Sequence, residues 1–298
     1  MRLQTCQLPI LAALLASPAV ADITFFSTGN PDGLMAAASR PSSAGKIEIE
    51  TGDDFVLNSE TSITGASFAG LLSGGATLSD IGQVRVEIYR VFPNDSSVGR
   101  TSGPPTFATP EVPTRVNSPG DVELSDRDSA AGNLTFTPAI TSISFSANNS
   151  VQPGGIHAKP GQTTGGNGAV TGEEVQFNVL FTTPFDLPAD HYFFVPQVEI
   201  TKPNGDFFWL SAPRPIVPPG TPFPPGSTDL QAWTRDENLA PDWLRIGTDI
   251  VGGPSTFNMA FSVSGNTVNT VPEPSSIILL GSGFLALVCV SRKRVRRS

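Results

Sequence analysis

Cysteine is almost missing from this chain. There are two, Cys6 and Cys289, and each falls inside an apolar terminal segment. Between those segments there is no thiol at all. That excludes disulfides, cysteine-ligated metals and a thiol nucleophile from the body. Histidine is as scarce, with only His157 and His191, far apart in sequence. His157 sits in a Gly-rich loop and His191 opens a strand-like run, so imidazole-centred acid–base chemistry has little to work with. HExxH, the P-loop and the dinucleotide-binding glycine pattern are absent. So is a Gly-x-Ser-x-Gly elbow in the body; Gly281-Ser282-Gly283 lies in the apolar tail. No long amphipathic helical pattern and no 20–50-residue repeat appears, which disfavours bundles, solenoids and propellers.

Positive charge is also sparse away from the ends. Of the 18 Lys and Arg residues, Arg2 and five C-terminal residues lie in the terminal segments. Residues 22–274 keep 12 against 27 acidic residues, a net charge of −15. A body this acidic excludes nucleic acid and anionic membrane surfaces as partners.

What is present at the ends is a pair of targeting patterns. Arg2, the apolar stretch Leu8 to Ala16 and the Ala19-Val20-Ala21 site read as a signal peptide over 1–21, leaving Asp22 as the first mature residue. Signal peptidase is the implied partner. At the other end come Val271-Pro272-Glu273-Pro274, an apolar run over 277–290 and the basic cluster Arg292, Lys293, Arg294, Arg296 and Arg297. Fourteen apolar residues make a helix of roughly 21 Å, against a hydrocarbon core of about 30 Å. With the flanking serines this is the short end of what spans as a single transmembrane helix. The basic cluster orients that end to the cytoplasm, with the body across the membrane.

Pro272, Glu273 and Pro274, the short apolar helix and the Arg-rich terminus together resemble the PEP-CTERM sorting signal of Gram-negative bacteria. The resemblance implies recognition and cleavage by an exosortase, a membrane-embedded cysteine protease-transpeptidase. It further implies placement at the cell surface or in an extracellular matrix, in bacteria that make exopolysaccharide. It covers under a tenth of the chain and says where the protein goes rather than what its body does.

The body, 22–265, is followed by a tether and the sorting signal over 266–298. Gly and Pro number 29 and 28 and are interleaved with β-branched and aromatic runs. That pattern predicts a loop-rich β protein rather than a disordered one. Strands are expected at 23–28, 46–50, 55–57, 61–72 with a bulge at Gly65, 84–88, 134–140, 142–147, 173–185, 191–200, 207–210 and 257–263. Leu34 to Ala38 reads as one helical turn. Pro203-Asn204-Gly205 reads as a hairpin turn between the strands either side of it. Seven prolines between Pro213 and Pro225 read as an extended surface crossover. The fold class expected is all-β, an antiparallel β-sandwich or jelly roll.

Two kinds of ligand chemistry suggest themselves. Asp53-Asp54 and Asp126-Arg127-Asp128 are the acidic clusters a structural calcium would use. Neither has EF-hand spacing, so no ligand set and no cofactor follows. Trp209, Trp233 and Trp243, with Arg235 and Arg245, are the residue types that bind sugars: indoles stack on CH faces and guanidinium groups take hydroxyls. Buried indoles with paired N–H groups would instead be packing. Three readings result: a non-enzymatic surface or matrix protein associated with exopolysaccharide, a carbohydrate-binding module at the surface, and a secreted hydrolase using paired carboxylates.

Overall fold

The computed structural model describes residues 23–43, 45–99, 116–156 and 163–268. The signal-peptide residues Ala19, Ala21 and Asp22, His157, the Pro272-Glu273-Pro274 motif, the apolar run and the basic cluster all lie outside the described residues. Among the described residues no helix is long and apolar enough to cross a membrane.

The body is built from two open, mostly antiparallel sheets. The larger holds β1 (Ile23–Ser27), β2 (Met35–Ala38), β4 (Thr61–Leu72), β7 (Leu134–Ala147), β8 (Asn149–Val151), β9 (Val170–Leu187), β11 (Phe207–Ala212), β14 (Asn258–Met259) and β15 (Phe261–Thr267). The smaller runs in the order β13 (Leu244–Arg245), β12 (Trp233–Asp236), β3 (Ile49–Leu57), β10 (Asp190–Ile200), β5 (Ile81–Arg90) and β6 (Ser125–Asp128). β9 runs the whole length of β4, from Thr61 opposite Leu187 to Leu72 opposite Glu173. One core lies between the sheets. Phe194 of β10 stacks on Phe261 of β15 at 5.0 Å and meets Trp209 of β11 edge-on at 6.0 Å.

Local pattern accounts for much of this. β9 alternates as strands do, with Val175, Phe177, Val179 and Phe181 all buried on one face. The expected bulge is present: the β4–β9 register shifts between Ile63 and Gly65. A Cβ at Gly65 would come within 3.0 Å of the Val179 carbonyl oxygen, so the bare backbone is what lets the strands approach there.

Four expectations change. Met35 to Ala38 is a strand, not a helical turn. Four residues cannot sustain a helix nucleus, and as β2 their backbone pairs with β11 on one side and, in parallel, with β8 on the other. The stretches either side of Asp53-Asp54 are one strand, β3. The runs either side of Thr141 are likewise one strand, β7, with register shifts against β9 around Ser142. Finally, β10 and β11 are not a hairpin. β10 already pairs with β3 on one edge and β5 on the other, so it has no free edge. The Pro203-Asn204-Gly205 turn instead carries the chain from one sheet to the other. Lys46 clamps that transfer by donating from Nζ to the carbonyls of Ile200, Lys202 and Gly205 at 2.8, 3.1 and 2.7 Å.

Candidate functional site

β5 places Val84, Val86 and Ile88 in the core between the sheets, as its alternation predicts. Its other face, with Glu87 and Tyr89, is buried too. The segment carrying Leu230, Trp233 and Trp243 covers it and makes a second apolar cluster with Tyr89, Phe193 and Val195. Under that cover lies a network of charged side chains.

Arg235 of β12 stands directly opposite Glu50 of β3. Its guanidinium holds both carboxylate oxygens, through Nε to Oε2 and through Nη2 to Oε1 at 2.9 Å. Nη2 also donates to the Tyr89 hydroxyl at 3.0 Å, and Nη1 to the carbonyls of Asp121 and Pro241. Tyr89 donates to Glu50 Oε1 at 2.5 Å and lies 3.1 Å from Glu87 Oε2. One hydroxyl proton cannot serve both carboxyls, so a protonated Glu87 supplies the second. Arg85 closes the chain, 3.1 Å from Glu87 Oε1. The two glutamates separate in acidity. Burial, reinforced by the charge of Glu50, pushes Glu87 up to about 9. Burial raises Glu50 too, but the charge and hydrogen bonds of Arg235 outweigh it and hold Glu50 below the ordinary value. A carboxylate and a carboxylic acid bridged by one hydroxyl is an arrangement that could move a proton. Here Glu50 and Glu87 are 5 and 3 % exposed and the indole of Trp243 roofs the site. In this arrangement it pins β12 and its loop to β3 and β5.

The candidate sugar-binding residues belong to this packing. Trp209, Trp233 and Trp243 are 0, 2 and 1 % exposed. Trp209 fills the core between the sheets and donates its N–H to the Ala260 carbonyl at 2.9 Å. Trp243 donates to the Gly120 carbonyl at 3.1 Å, meets Tyr89 edge-on at 5.3 Å and lies under Arg235 at 4.3 Å. Trp233 is buried with its Nε1 unpartnered, and Arg245 approaches its ring at 5.8 Å. Arg245 itself forks onto Asp249, with Nε to Oδ2 at 2.9 Å and Nη2 to Oδ1 at 2.7 Å. None of the three indoles presents an open face, so they form no stacking platform. Their proximity to prolines reflects the cover over the smaller sheet.

The acidic pair sits at a second buried cluster. Successive residues of a strand face opposite ways, so Asp53 and Asp54 diverge. Asp53 accepts from the backbone N–H of Met259 at 2.7 Å, and Asp54 from that of Leu230 at 3.1 Å. They tie β14 and the segment carrying Leu230 to β3. Asp54 Oδ2 is also 2.6 Å from His191 Nε2. Burial is the first cause that pushes both aspartates well above the usual carboxylate range, with Asp54 adding to Asp53 and Asp229 to both. Burial likewise lowers His191 to about 4. Burial thus disfavours the charged form of both partners. Nearby, Arg214 holds the Leu230 and Asp229 carbonyls and the Asn258 side chain. Asp126 pairs with Arg85 at 3.4 Å, and Asp128 accepts from the Ala130 N–H at 2.7 Å. Among the described residues no three His, Cys, Asp or Glu side chains are grouped to hold a metal ion. The sequence gives no sign of either buried network beyond the alternation that puts Glu50, Glu87 and Tyr89 on one side of their strands.

Comparison with known proteins bears on the C-terminus alone. Residues 270–294 match the family model of the PEP-CTERM protein-sorting motif. No curated protein and no solved structure matches the chain.

Proposed function

We propose that this is an exported, non-enzymatic surface or extracellular-matrix protein, delivered by an exosortase to a cell envelope or matrix rich in exopolysaccharide. The match at residues 270–294 carries the reading, because that motif implies recognition by an exosortase, export, and membrane anchoring through the C-terminus. In this reading the tail addresses the protein and the two-sheet body, a β-sandwich scaffold, is the cargo. The body supports a structural role in two ways. The buried charged side chains of its two networks, Glu50, Arg235, Asp53 and Asp54, engage one another or the backbone. Its tryptophans are fillers of the interior.

Intact mass of the protein from its native host, taken by cell fraction with and without the exosortase, tests this. A product lacking the basic cluster 292–297 is expected only when the enzyme is present. An unchanged mass in both backgrounds would overturn the sorting reading and leave an ordinary C-terminal anchor.

A further inference from the structure

One cavity stands apart from both buried networks. It opens where β5 and β6 of the smaller sheet approach the C-terminal end of β9, and has a volume of about 420 Å³. Ligand pockets commonly run to about 300–1,000 Å³. Its apolar walls come from Leu124, Pro184 and Pro188, its polar ones from Arg90, Arg127 and Asp186.

The two arginines differ. Arg127 lies over the Phe185 ring at 4.1 Å and spends its guanidinium on the Thr183, Pro184 and Asp126 carbonyls and on Ser125 Oγ. It is a wall. Arg90 faces Asp95 through Nε, 3.5 Å from Oδ2, and its side chain, 33 % exposed, lines the cavity. Asp186 is exposed and offers acceptor oxygens across the same space.

Charge at the cavity is balanced. Asp95 stands against Arg90 and Asp186 acts on Arg127, while Asp126 is paired with Arg85. A carboxylated or phosphorylated ligand would add unmatched negative charge to a chain whose net charge is already −9. Donors and acceptors set around apolar walls, with no surplus charge, suit a ring that carries hydroxyls on its edge and C–H bonds on its faces.

We propose that this cavity binds a neutral, hydroxyl-rich sugar unit, with Arg90 donating to and Asp186 accepting from its hydroxyls. Pro184, Pro188 and Leu124 supply the surface for its C–H face. The choice of an extracellular glycan as the source of that unit rests on the function proposed above.

The test is full-length protein on an array of neutral and acidic oligosaccharides, followed by titration calorimetry with the best neutral binder. The expected result is preference for a neutral glycan. Arg90→Ala and Asp186→Asn should each weaken it at least tenfold, with the melting temperature held. Asp186 is exposed, so its variant keeps the test informative even if Arg90→Ala unfolds. No neutral binder at millimolar concentration, preference for acidic glycans, or affinity unchanged in Asp186→Asn would each overturn the proposal. C-terminal trimming in the same preparation separates the two ideas: a trimmed protein that binds no glycan loses the cavity proposal alone.

Discussion

Glu87 is a carboxyl buried beside a second carboxyl. Its folded acidity lies near 9 against an ordinary 4.5, because burial and Glu50 both disfavour its charge. In the unfolded chain it ionises freely above the ordinary value. Its contribution to stability is therefore complete at low pH and is lost as pH rises towards 9. The slope this adds is up to about 1.4 kcal/mol per pH unit. Asp53 and Asp54 slope the same way, while His191, lowered to about 4, acts oppositely and only below its ordinary 6.5. Thermal melts between pH 7 and 9 isolate the carboxyls. The melting temperature should fall across that range in the parent and fall less in Glu87→Gln. Parallel curves would mean that Glu87 is already ionised in the folded protein. The sequence could place Glu87 on the face opposite Val86, but not reveal that the face is covered. The cover comes from Trp243, more than 150 positions later.

At the scale of elements, close approach is decided by glycine. β4 packs against β11 at Gly70, where a Cβ would lie 2.2 Å from a Phe207 ring carbon and 2.7 Å from the Phe208 carbonyl oxygen. Neither the backbone nor a fully buried ring can yield that much. Gly70→Ala should destabilise the body by about 1–3 kcal/mol, as overpacking does. Gly99→Ala, with nothing within 4 Å among the described residues, should be neutral. Denaturant midpoints for the two variants check this, and equal midpoints would refute it. Strands with clean alternation in sequence, β5 and β9, are legible because each side chain reports its own face. Partners are not. Asp53-Asp54 looks like the polar break of a turn, yet stays in a strand because Met259 and Leu230 supply N–H donors from elsewhere in the chain. The Pro203-Asn204-Gly205 turn has hairpin chemistry, yet joins two sheets because both edges of β10 are taken.

At the scale of the whole molecule, the last described strand, β15, ends at Thr267, so deleting 269–298 removes no described strand. On the function proposed above, that deletion should abolish processing by the exosortase and leave the melting temperature of the body unchanged. A lower melting temperature in the truncated protein would show that the tail contributes to the fold. The address was readable from the Pro-Glu-Pro, apolar and basic sequence alone, because such a motif acts through linear order. The cavity beside Arg90 was not, since its walls come from segments almost 100 positions apart.

The closing strand has a mechanical consequence. β15 lies between β1 and β4 in the larger sheet, and Gly265 pairs with Ile23. Tension arriving through the C-terminal segment would reach the body at a strand hydrogen-bonded on both sides. It would have to shear two ladders at once rather than peel one strand from an edge, a grip suited to a protein held against flow by its end.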